Sequence, residues 1–549
     1  MTAAWALMGL LCLPVMPGDQ NSDQARDNAS GPAPASARTA LTEQQAARQI
    51  DLLFRSHWDA VEVQPAQMTT DEEFVRRVYL DLAGRIPSVS EVRQFLSDAS
   101  PDRRQQLVEK LLDGPAFVRH FTIRWRTTLI PEAFDDVRTR QLVPGFEAWL
   151  WTQFSAGTPW DQVVREIITV PLTATTPGVS QSPQPLQSAS SPAAFFLLRD
   201  FKPEELATGT SRAFLGVRLD CAQCHDHPFD RWKQQEFWSL AAFYSGLQQP
   251  AMADQPPQAL IPSENNNSRS IVVPSTGRTV PAQFLTGHQP NWRPDDIPRQ
   301  VLANWITAPD NPWFARMAAN QVWALLMGQG IVHPVDDFSD ANPPSHPEVL
   351  QLLADQFVLH DFDLRFLIRT ITATQVYQLS SLQSHASQKE PADFARAALR
   401  GLTPEQLFDS LAEATGFYQP YRSENPFVIS AETPRGRFLE LFRSTGESPL
   451  RRETTILQAL AMMNGEFINT ATGPDDSRTL RSIIEFPLMN DEERLDALFL
   501  AALSRRPTAS EHERCLAMLK TAPDKTAQAV VFGDIFWVLL NSSEFLLNH

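Results

Sequence analysis

Five consecutive residues, Cys221-Ala222-Gln223-Cys224-His225, have the types and spacing of a cofactor-attachment site. Cys-x-x-Cys-His is the signature of covalent c-type haem attachment. Two thiols three residues apart can bond to one edge of a porphyrin, and the adjacent imidazole can then reach the iron. The sequence therefore predicts thioether links at Cys221 and Cys224, with His225 as an axial iron ligand.

Two other readings of the same residues remain open. Cys221, Cys224, His225 and His227 are also suitable donors for zinc or copper. Four ligands within seven residues would be crowded, because structural zinc sites usually take two pairs from separate segments. The third reading is a plain disulfide between the two cysteines, without a cofactor. The sequence does not identify a sixth haem ligand, and Met252 is the nearest downstream methionine.

The overall composition narrows the classes of partner. The chain has 549 residues, a formal net charge of -17 and a hydrophobic fraction of 43%. This length predicts two or three domains with sizeable cores. The basic residues are scattered rather than clustered, which argues against nucleic acid and anionic membrane surfaces as partners.

The N-terminal residues resemble an export signal. Residues 2–15 are mainly apolar, and polar and small residues follow from Gly18. We predict a signal peptide over residues 1–18, a disordered linker over 19–44, and a periplasmic or extracellular location. The apolar stretch is too short to predict a stable membrane span. No Lys or Arg precedes it, so an uncleaved anchor remains the alternative.

The elements that must position the motif are predicted to be mainly α-helical. We expect one helical domain over residues 45–247, which carries the motif, and a second over 299–549. The segment 248–298 is predicted to be a linker with one short β-hairpin, formed by Ser270–Val273 and Arg278–Val280 around a turn. Capping-box spacing supports helix starts at four pairs: Thr70 with Glu73, Ser88 with Glu91, Thr403 with Gln406, and Thr508 with Glu511.

One helical unit occurs twice along the chain. Asp71–Glu73 aligns without gaps on Asp491–Glu493, and Arg85 and Glu91 align on Arg505 and Glu511. We interpret this as an internal repeat of a capped helix, a proline-marked turn and further helices. Generic helix-turn-helix chemistry is the alternative explanation.

With these motifs in order, the chain resembles a known pair of domains. Residues 80–87 and 215–229 are similar to the planctomycete cytochrome C domain of unknown function. The second half resembles the planctomycete-specific C-terminal domain of unknown function that usually follows it. The matching residues there include Asn311, Asn320, Trp323, Pro344–Glu348 and Leu540–Phe545. Gln321 departs from the pattern, because relatives usually have Arg at this place.

The resemblance implies an exported protein, often encoded beside sulfatase-like proteins, from a family whose label records a suspected haem and no established activity. Together with the motif, it predicts a c-type-cytochrome-like redox protein that transfers electrons to or from a partner protein. The alternative function is a non-redox helical binding or scaffold protein. In that case the cysteine pair holds a disulfide or metal, and a sulfatase-like partner links the protein to extracellular polysaccharide degradation.

Overall fold

A computed structural model describes most of the chain from Thr39 onward. The described residues are 39–134, 140–172, 190–248, 263–418, 433–442, 462–463 and 465–549. The predicted signal peptide therefore lies outside the described residues. The first helix begins at Glu43, inside the segment predicted as a linker over 19–44.

Helices make up most of the first half, as the sequence predicted. They are α1 Glu43–Ala60, α2 Asp71–Val78, α3 Val89–Ser97, α4 Arg103–Leu112, α5 Pro115–Leu129, α6 Val143–Ala156, α7 Trp160–Thr169, α8 Ala194–Leu197, α9 Pro203–Thr210 and α10 Gln234–Ala241. Single π-helical turns extend two of them, over Tyr79–Ala83 and Ser211–Leu215. Short 3-10 turns cover Pro131–Phe134, Asp220–Gln223 and Ala242–Tyr244.

The second half is helical as well, so the mainly α prediction is confirmed. Its helices are α11 Pro298–Ile306, α12 Phe314–Met327, α13 Pro347–Leu359, α14 Leu364–Ala373, α15 Pro404–Thr415, α16 Pro434–Phe442, α17 Glu466–Thr472, α18 Arg478–Glu485, α19 Asp491–Leu503, α20 Ala509–Lys520, α21 Lys525–Leu540 and α22 Ser543–Leu546. A 3-10 turn covers Pro391–Asp393. In the described part of the chain, no helix combines the length and the apolar character needed to cross a membrane.

The strands are short and antiparallel. The predicted hairpin is present: β3 Ser270–Val272 pairs with β4 Thr279–Pro281, with Ile271 opposite Val280. Sequence patterns did not predict two further pairs. These pairs are β1 Leu247–Gln248 with β2 Ser263–Glu264, and β5 Arg400–Gly401 with β6 Leu547–Asn548.

Capping side chains explain where several helices begin. The boxes at Ser88, Thr403 and Thr508 are formed with both of their reciprocal hydrogen bonds. At Thr70 only half of the predicted box exists. The Thr70 hydroxyl accepts from the Glu73 backbone N–H, but the Glu73 carboxylate accepts from Arg77 instead of returning to the cap. Tertiary contacts therefore outweigh the local cap at this position.

The α2 unit ends before Pro87, the proline of the predicted turn. The helical backbone stops at Ala83, and Gly84 follows in the left-handed conformation with φ of 70°. A β-carbon on Gly84 would lie 2.5 Å from Nδ1 of the His120 side chain. Glycine is required here both by the backbone conformation and by the close packing of His120.

Residues 40–549 form one compact unit with two hydrophobic cores. The larger core contains residues from both sides of segment 248–298, among them Phe54, Trp125 and Trp323. The smaller core combines Leu80 and Ile86 with residues from 402 to 545. The division into helical domains at 45–247 and 299–549 stays a prediction, and in the structure both parts contribute to the same cores.

The two copies of the proposed repeat have the same local geometry. Arg85 donates two hydrogen bonds of 2.9 Å to the Glu91 carboxylate and one of 2.8 Å to the Ile86 carbonyl. Arg505 donates to Glu511 at 2.9 and 3.0 Å and to the Arg506 carbonyl at 3.0 Å. The match extends beyond helix capping to an arginine that spans the turn, which supports the interpretation as a repeat.

Two fully buried arginines on α2 connect the early helices to the end of the chain. Arg76 donates to the carbonyl oxygens of Ala502, Glu544 and Phe545 at 3.1, 3.2 and 2.9 Å. Burial lowers the pKa of Arg76 to about 10, so the guanidinium remains charged at neutral pH. Arg77 similarly donates to the carbonyls of Tyr377 and Leu379.

We predict that Arg76→Leu destabilises the protein by about 3 kcal/mol, because three buried carbonyl groups lose their donor. The free energy of unfolding from chemical denaturation would measure the loss. Arg506→Leu is the matched control, since its side chain is 76% exposed, and it should change stability by less than about 0.5 kcal/mol. Equal effects of the two substitutions would contradict the assigned role of Arg76.

A second prediction concerns acid stability. Burial tends to raise the pKa of Glu91, but hydrogen bonds from Arg85 and Ser88 outweigh it and lower the pKa to about 2, from an ordinary 4.5. A carboxyl group with a lowered pKa stabilises the fold above about pH 4.5, and this stabilisation disappears as the pH falls toward 2. Glu91→Gln should therefore cost about 2 kcal/mol at pH 7, and the difference from wild type should shrink below pH 4.5.

Thermal unfolding of both proteins across pH 2 to 7 would test this expectation. Glu513→Gln, at an exposed position of α20, serves as the control and should leave stability within about 0.5 kcal/mol of wild type. A Glu91→Gln deficit that stays constant down to pH 2 would show that the charge of Glu91 does not stabilise the fold.

Candidate functional site

The Cys-x-x-Cys-His motif lies directly after a sharply ended helix. The π-turn Ser211–Leu215 stops at Gly216, which has φ of 67° and accepts a hydrogen bond of 2.8 Å from the Phe338 backbone N–H. A β-carbon on Gly216 would lie 2.6 Å from the Phe338 ring. This close packing anchors the chain just before it enters the motif.

The motif itself begins in a single 3-10 turn. Asp220–Gln223 form the turn, and Cys224 follows as its C-cap. Ala222 and the preceding Leu219 are buried, whereas Cys221 and Cys224 are exposed and free. The buried residues hold the turn against the core, so both thiols face solvent from one short segment.

Side chains of helix α10 and the turn of the β3–β4 hairpin contact the backbone side of the motif turn. The Trp238 indole N–H donates to the Gln223 carbonyl at 3.0 Å. The Gln234 side-chain amide donates to the carbonyls of Gln223 and Cys224 at 3.2 and 2.7 Å, and it also lies 3.1 Å from the Ser275 hydroxyl in the hairpin turn. These contacts fix the backbone carbonyls while leaving the sulfur atoms uncovered.

The imidazole of His225 is exposed and oriented by its own loop. Nδ1 lies 2.7 Å from the Asp226 carbonyl oxygen, which can only accept, so Nδ1 carries the proton. The lone pair is then on Nε2, the nitrogen available to a metal. The backbone N–H of Gln234 and the Lys233 ammonium lower the pKa of Asp226, whose charge helps hold this loop.

His227 is arranged differently. Its Nδ1 accepts a hydrogen bond of 3.3 Å from the Phe229 backbone N–H, and its own backbone N–H donates to the Trp232 carbonyl. Within the described ranges, no group of three or more His, Cys, Asp or Glu side chains is placed to hold a metal ion. Cys221, Cys224, His225 and His227 therefore do not converge on one point, and the zinc or copper site stays a prediction.

The motif residues satisfy two of the requirements for covalent haem attachment. Both thiols are accessible on one turn, and the neighbouring imidazole presents Nε2. Of the aromatic residues that follow, Trp232 and Phe237 are buried in the core, whereas Phe229 is 85% exposed beside the motif. Phe229 is thus the one of these three aromatic residues that faces solvent, and Met252 lies outside the described residues.

An ion-pair cluster that the sequence did not predict lies at the start of the motif. Asp336 accepts from Arg218 at 2.6 Å and from Arg212 at 3.1 Å, and Arg212 also approaches Asp220 at 3.7 Å. Burial acts to raise the pKa of Asp336, but the two arginines outweigh it and lower the pKa. The cluster joins the segment before Cys221 to the second half of the chain.

Asp336 and His346, which lie ten residues apart in the sequence, have different surroundings. Asp336 pairs with the arginines near the motif, while His346 is buried against the rings of Phe54 and His57. Pairing of arginine and aspartate 118 residues apart leaves no local sequence signal, so only the tertiary structure reveals the cluster.

Comparison with protein-family models gave two matches. Residues 49–249 match PSCyt2, described as Protein of unknown function (DUF1549), and residues 298–453 match PSD1, described as Protein of unknown function (DUF1553). The name of the first hints at a cytochrome-like domain. Comparisons with curated proteins and with solved structures gave no match.

The order of the two matches confirms the resemblance that the motifs indicated, with the Cys-x-x-Cys-His turn inside the first matched region. In this chain a region that matches the PSCyt2 model therefore precedes a region that matches the PSD1 model, both models describing domains of unknown function.

Proposed function

We propose that Cys221, Cys224 and His225 hold a covalently attached c-type haem and that the protein transfers electrons to or from a partner protein. The proposal is supported most by the exposure of the motif and the orientation of its histidine. Both cysteines lie on an exposed turn whose backbone carbonyl of Cys224 accepts a hydrogen bond from Gln234. The His225 imidazole is oriented by the Asp226 carbonyl, which leaves Nε2 available.

Attachment needs no group beyond the two thiols on the protein side. Each S–H adds across one vinyl group of the porphyrin, so that sulfur bonds to carbon and the hydrogen is retained by the product. Exposure of both cysteines allows this addition without opening the core. When bound, the haem would supply one-electron redox chemistry.

The roles of the remaining residues follow from their contacts. The Asp226 carbonyl holds the Nδ1–H of His225, which fixes the ring orientation and increases the basicity of Nε2. Gln234 and Trp238 keep the turn in place by binding its carbonyl oxygens. Phe229 supplies an apolar surface next to the motif.

Surface exposure of the motif suits electron exchange with another protein, because a ring attached there would present an edge to solvent. The chain has a net charge of -17, which favours a partner with a basic contact surface. Export to the periplasm or the cell exterior is part of the proposal, since the apolar residues 2–15 provide its basis.

The decisive experiment expresses the full chain with haem-attachment machinery and measures intact mass together with the reduced-minus-oxidised visible spectrum. We expect the added mass of one haem and sharp bands in the reduced state. Cys221→Ser with Cys224→Ser should abolish the covalent mass, and His225→Met should keep the mass but change the spectrum and the midpoint potential.

Cys515→Ser is the matched control, because this half-buried thiol lies in α20, outside the motif, and its loss should leave the haem content unchanged. A colourless protein of unmodified mass would refute the haem proposal. Metal analysis and thiol counting on the same sample would then distinguish a zinc or copper site from a Cys221–Cys224 disulfide in a non-redox scaffold protein.

Gln234 is expected to act as a positioning residue for attachment. Gln234→Leu removes the side-chain donor to the Cys224 carbonyl, and a hydrogen bond worth about 1 kcal/mol corresponds to roughly a fivefold change in the population of the ordered turn. The fraction of chains carrying haem, read from intact mass, should fall accordingly. Gln235→Leu, at the exposed neighbouring position, should attach haem normally, and a similar loss in both variants would argue against positioning by Gln234.

A further inference from the structure

A loop in the second half of the chain is held in place by one buried side chain. Asn320, which is fully buried in α12, donates from its side-chain amide to the Val332 carbonyl at 2.9 Å and accepts from the Val332 backbone N–H at 2.9 Å. The same amide donates to the Val335 carbonyl at 3.4 Å. These bonds fix the loop over residues 332–335, so the next residue, Asp336, starts from a supported backbone.

The continuation of this loop contacts the chain reversal just ahead of the motif. The Phe338 backbone N–H donates to the Gly216 carbonyl at 2.8 Å. A β-carbon on Gly216 would lie 2.6 Å from the Phe338 ring and 3.0 Å from the Met317 sulfur. Gly216 is therefore enclosed as well as left-handed, which fixes the direction in which the chain leaves the π-turn.

The Asp336 carboxylate joins two arginines that flank this reversal. It accepts from Nη2 of Arg218 at 2.6 Å and from Nε of Arg212 at 3.1 Å. Arg212 precedes Gly216 and Arg218 follows it, so one carboxylate holds both arms of the reversal. Arg218 is separated from Cys221 by only two residues, which places this clamp directly before the first thiol of the motif.

The clamp also determines the charge beside the motif. Burial acts to raise the pKa of Asp336, but the two arginines outweigh it, so this carboxylate is ionised at neutral pH. Arg212 also approaches Asp220, the first residue of the motif turn, at 3.7 Å. Within these ion pairs two guanidinium groups face two carboxylates. Loss of the Asp336 charge would remove half of the negative charge that offsets the arginines.

We propose that Asp336 is a positioning residue for the Cys-x-x-Cys-His turn, and that its charge lowers the reduction potential of a haem held by that turn. The positioning role follows from the clamp on Arg212 and Arg218. The effect on the potential follows because a nearby negative charge favours the oxidised, more positive state of the iron. This second part rests on the proposed haem attachment, whereas the first part does not.

Hydrogen exchange on the full chain without haem tests the positioning role. Asp336→Asn keeps the shape of the side chain and removes its charge, so we expect the backbone amides of Val217 and Ala222 to exchange about tenfold faster. Both amides are hydrogen-bonded, at 3.0 and 2.9 Å. The amides of α19 report on global stability and should exchange as in wild type. Asp336→Glu, which keeps the charge, should restore part of the protection.

Asp340→Asn, at an exposed position of the same segment, is the matched control and should exchange like wild type. Unchanged exchange of Val217 and Ala222 in Asp336→Asn would overturn the positioning role. An acceleration of the same size in α19 would also overturn it, because the substitution would then act on global stability.

The midpoint potential of the haem-loaded protein tests the effect of the charge. Asp336→Asn should shift the potential to a more positive value, and adding Arg212→Gln should return it toward wild type, because one positive charge is then removed as well. An unshifted potential in haem-loaded Asp336→Asn, or a shift that the second substitution does not reverse, would overturn the charge effect. A colourless wild type would refute haem attachment and with it the charge effect, and the exchange rates would still decide the positioning role.

Discussion

The structure depends most on the need to satisfy charges that are buried between residues 76 and 81. Arg76, Arg77 and Asp81 lie within the core, where an unpaired charge would cost several kcal/mol. Their partners come from distant parts of the chain, including Tyr377, Phe545 and Asn548. Any arrangement that buries this helix must therefore also bring the middle and the end of the chain to it. This constraint explains why the two halves share their cores.

The same constraint fixes the surroundings of Asp81, but it does not shape the Cys-x-x-Cys-His turn. The Asp81 carboxylate accepts hydrogen bonds from Tyr377, Arg400 and Asn548, which come from the middle and the end of the chain. The Cys-x-x-Cys-His turn is built on the opposite principle. Its backbone is held by donors from the core, while its reactive atoms face solvent. Buried polar contacts hold the surroundings of Asp81, whereas the motif is an exposed turn on a hydrogen-bonded base.

In the repeat, local sequence determines the turn, and tertiary contacts determine how the preceding helix is capped. Arg85 with Glu91 and Arg505 with Glu511 form the same turn, because a capping box and an arginine across it are local features. The preceding caps differ. Asn490 forms a complete box with Glu493, whereas Glu73 turns away from Thr70 toward Arg77 and the Ser381 backbone N–H. Neighbours from elsewhere in the chain decide between two otherwise similar sequences.

The sequence by itself determined the helical class, the hairpin around Ser275, three of the four predicted capping boxes and the Cys-x-x-Cys-His spacing, since each depends on residues only a few positions apart. It did not determine the end of the first repeat unit at Gly84, the strand pair that joins Arg400 to Asn548, or the cluster around Asp336. Those features depend on contacts between residues more than a hundred positions apart or on the packing of a side chain such as His120. Only the folded chain decides which buried charge meets which donor, because that choice is made by packing and not by spacing.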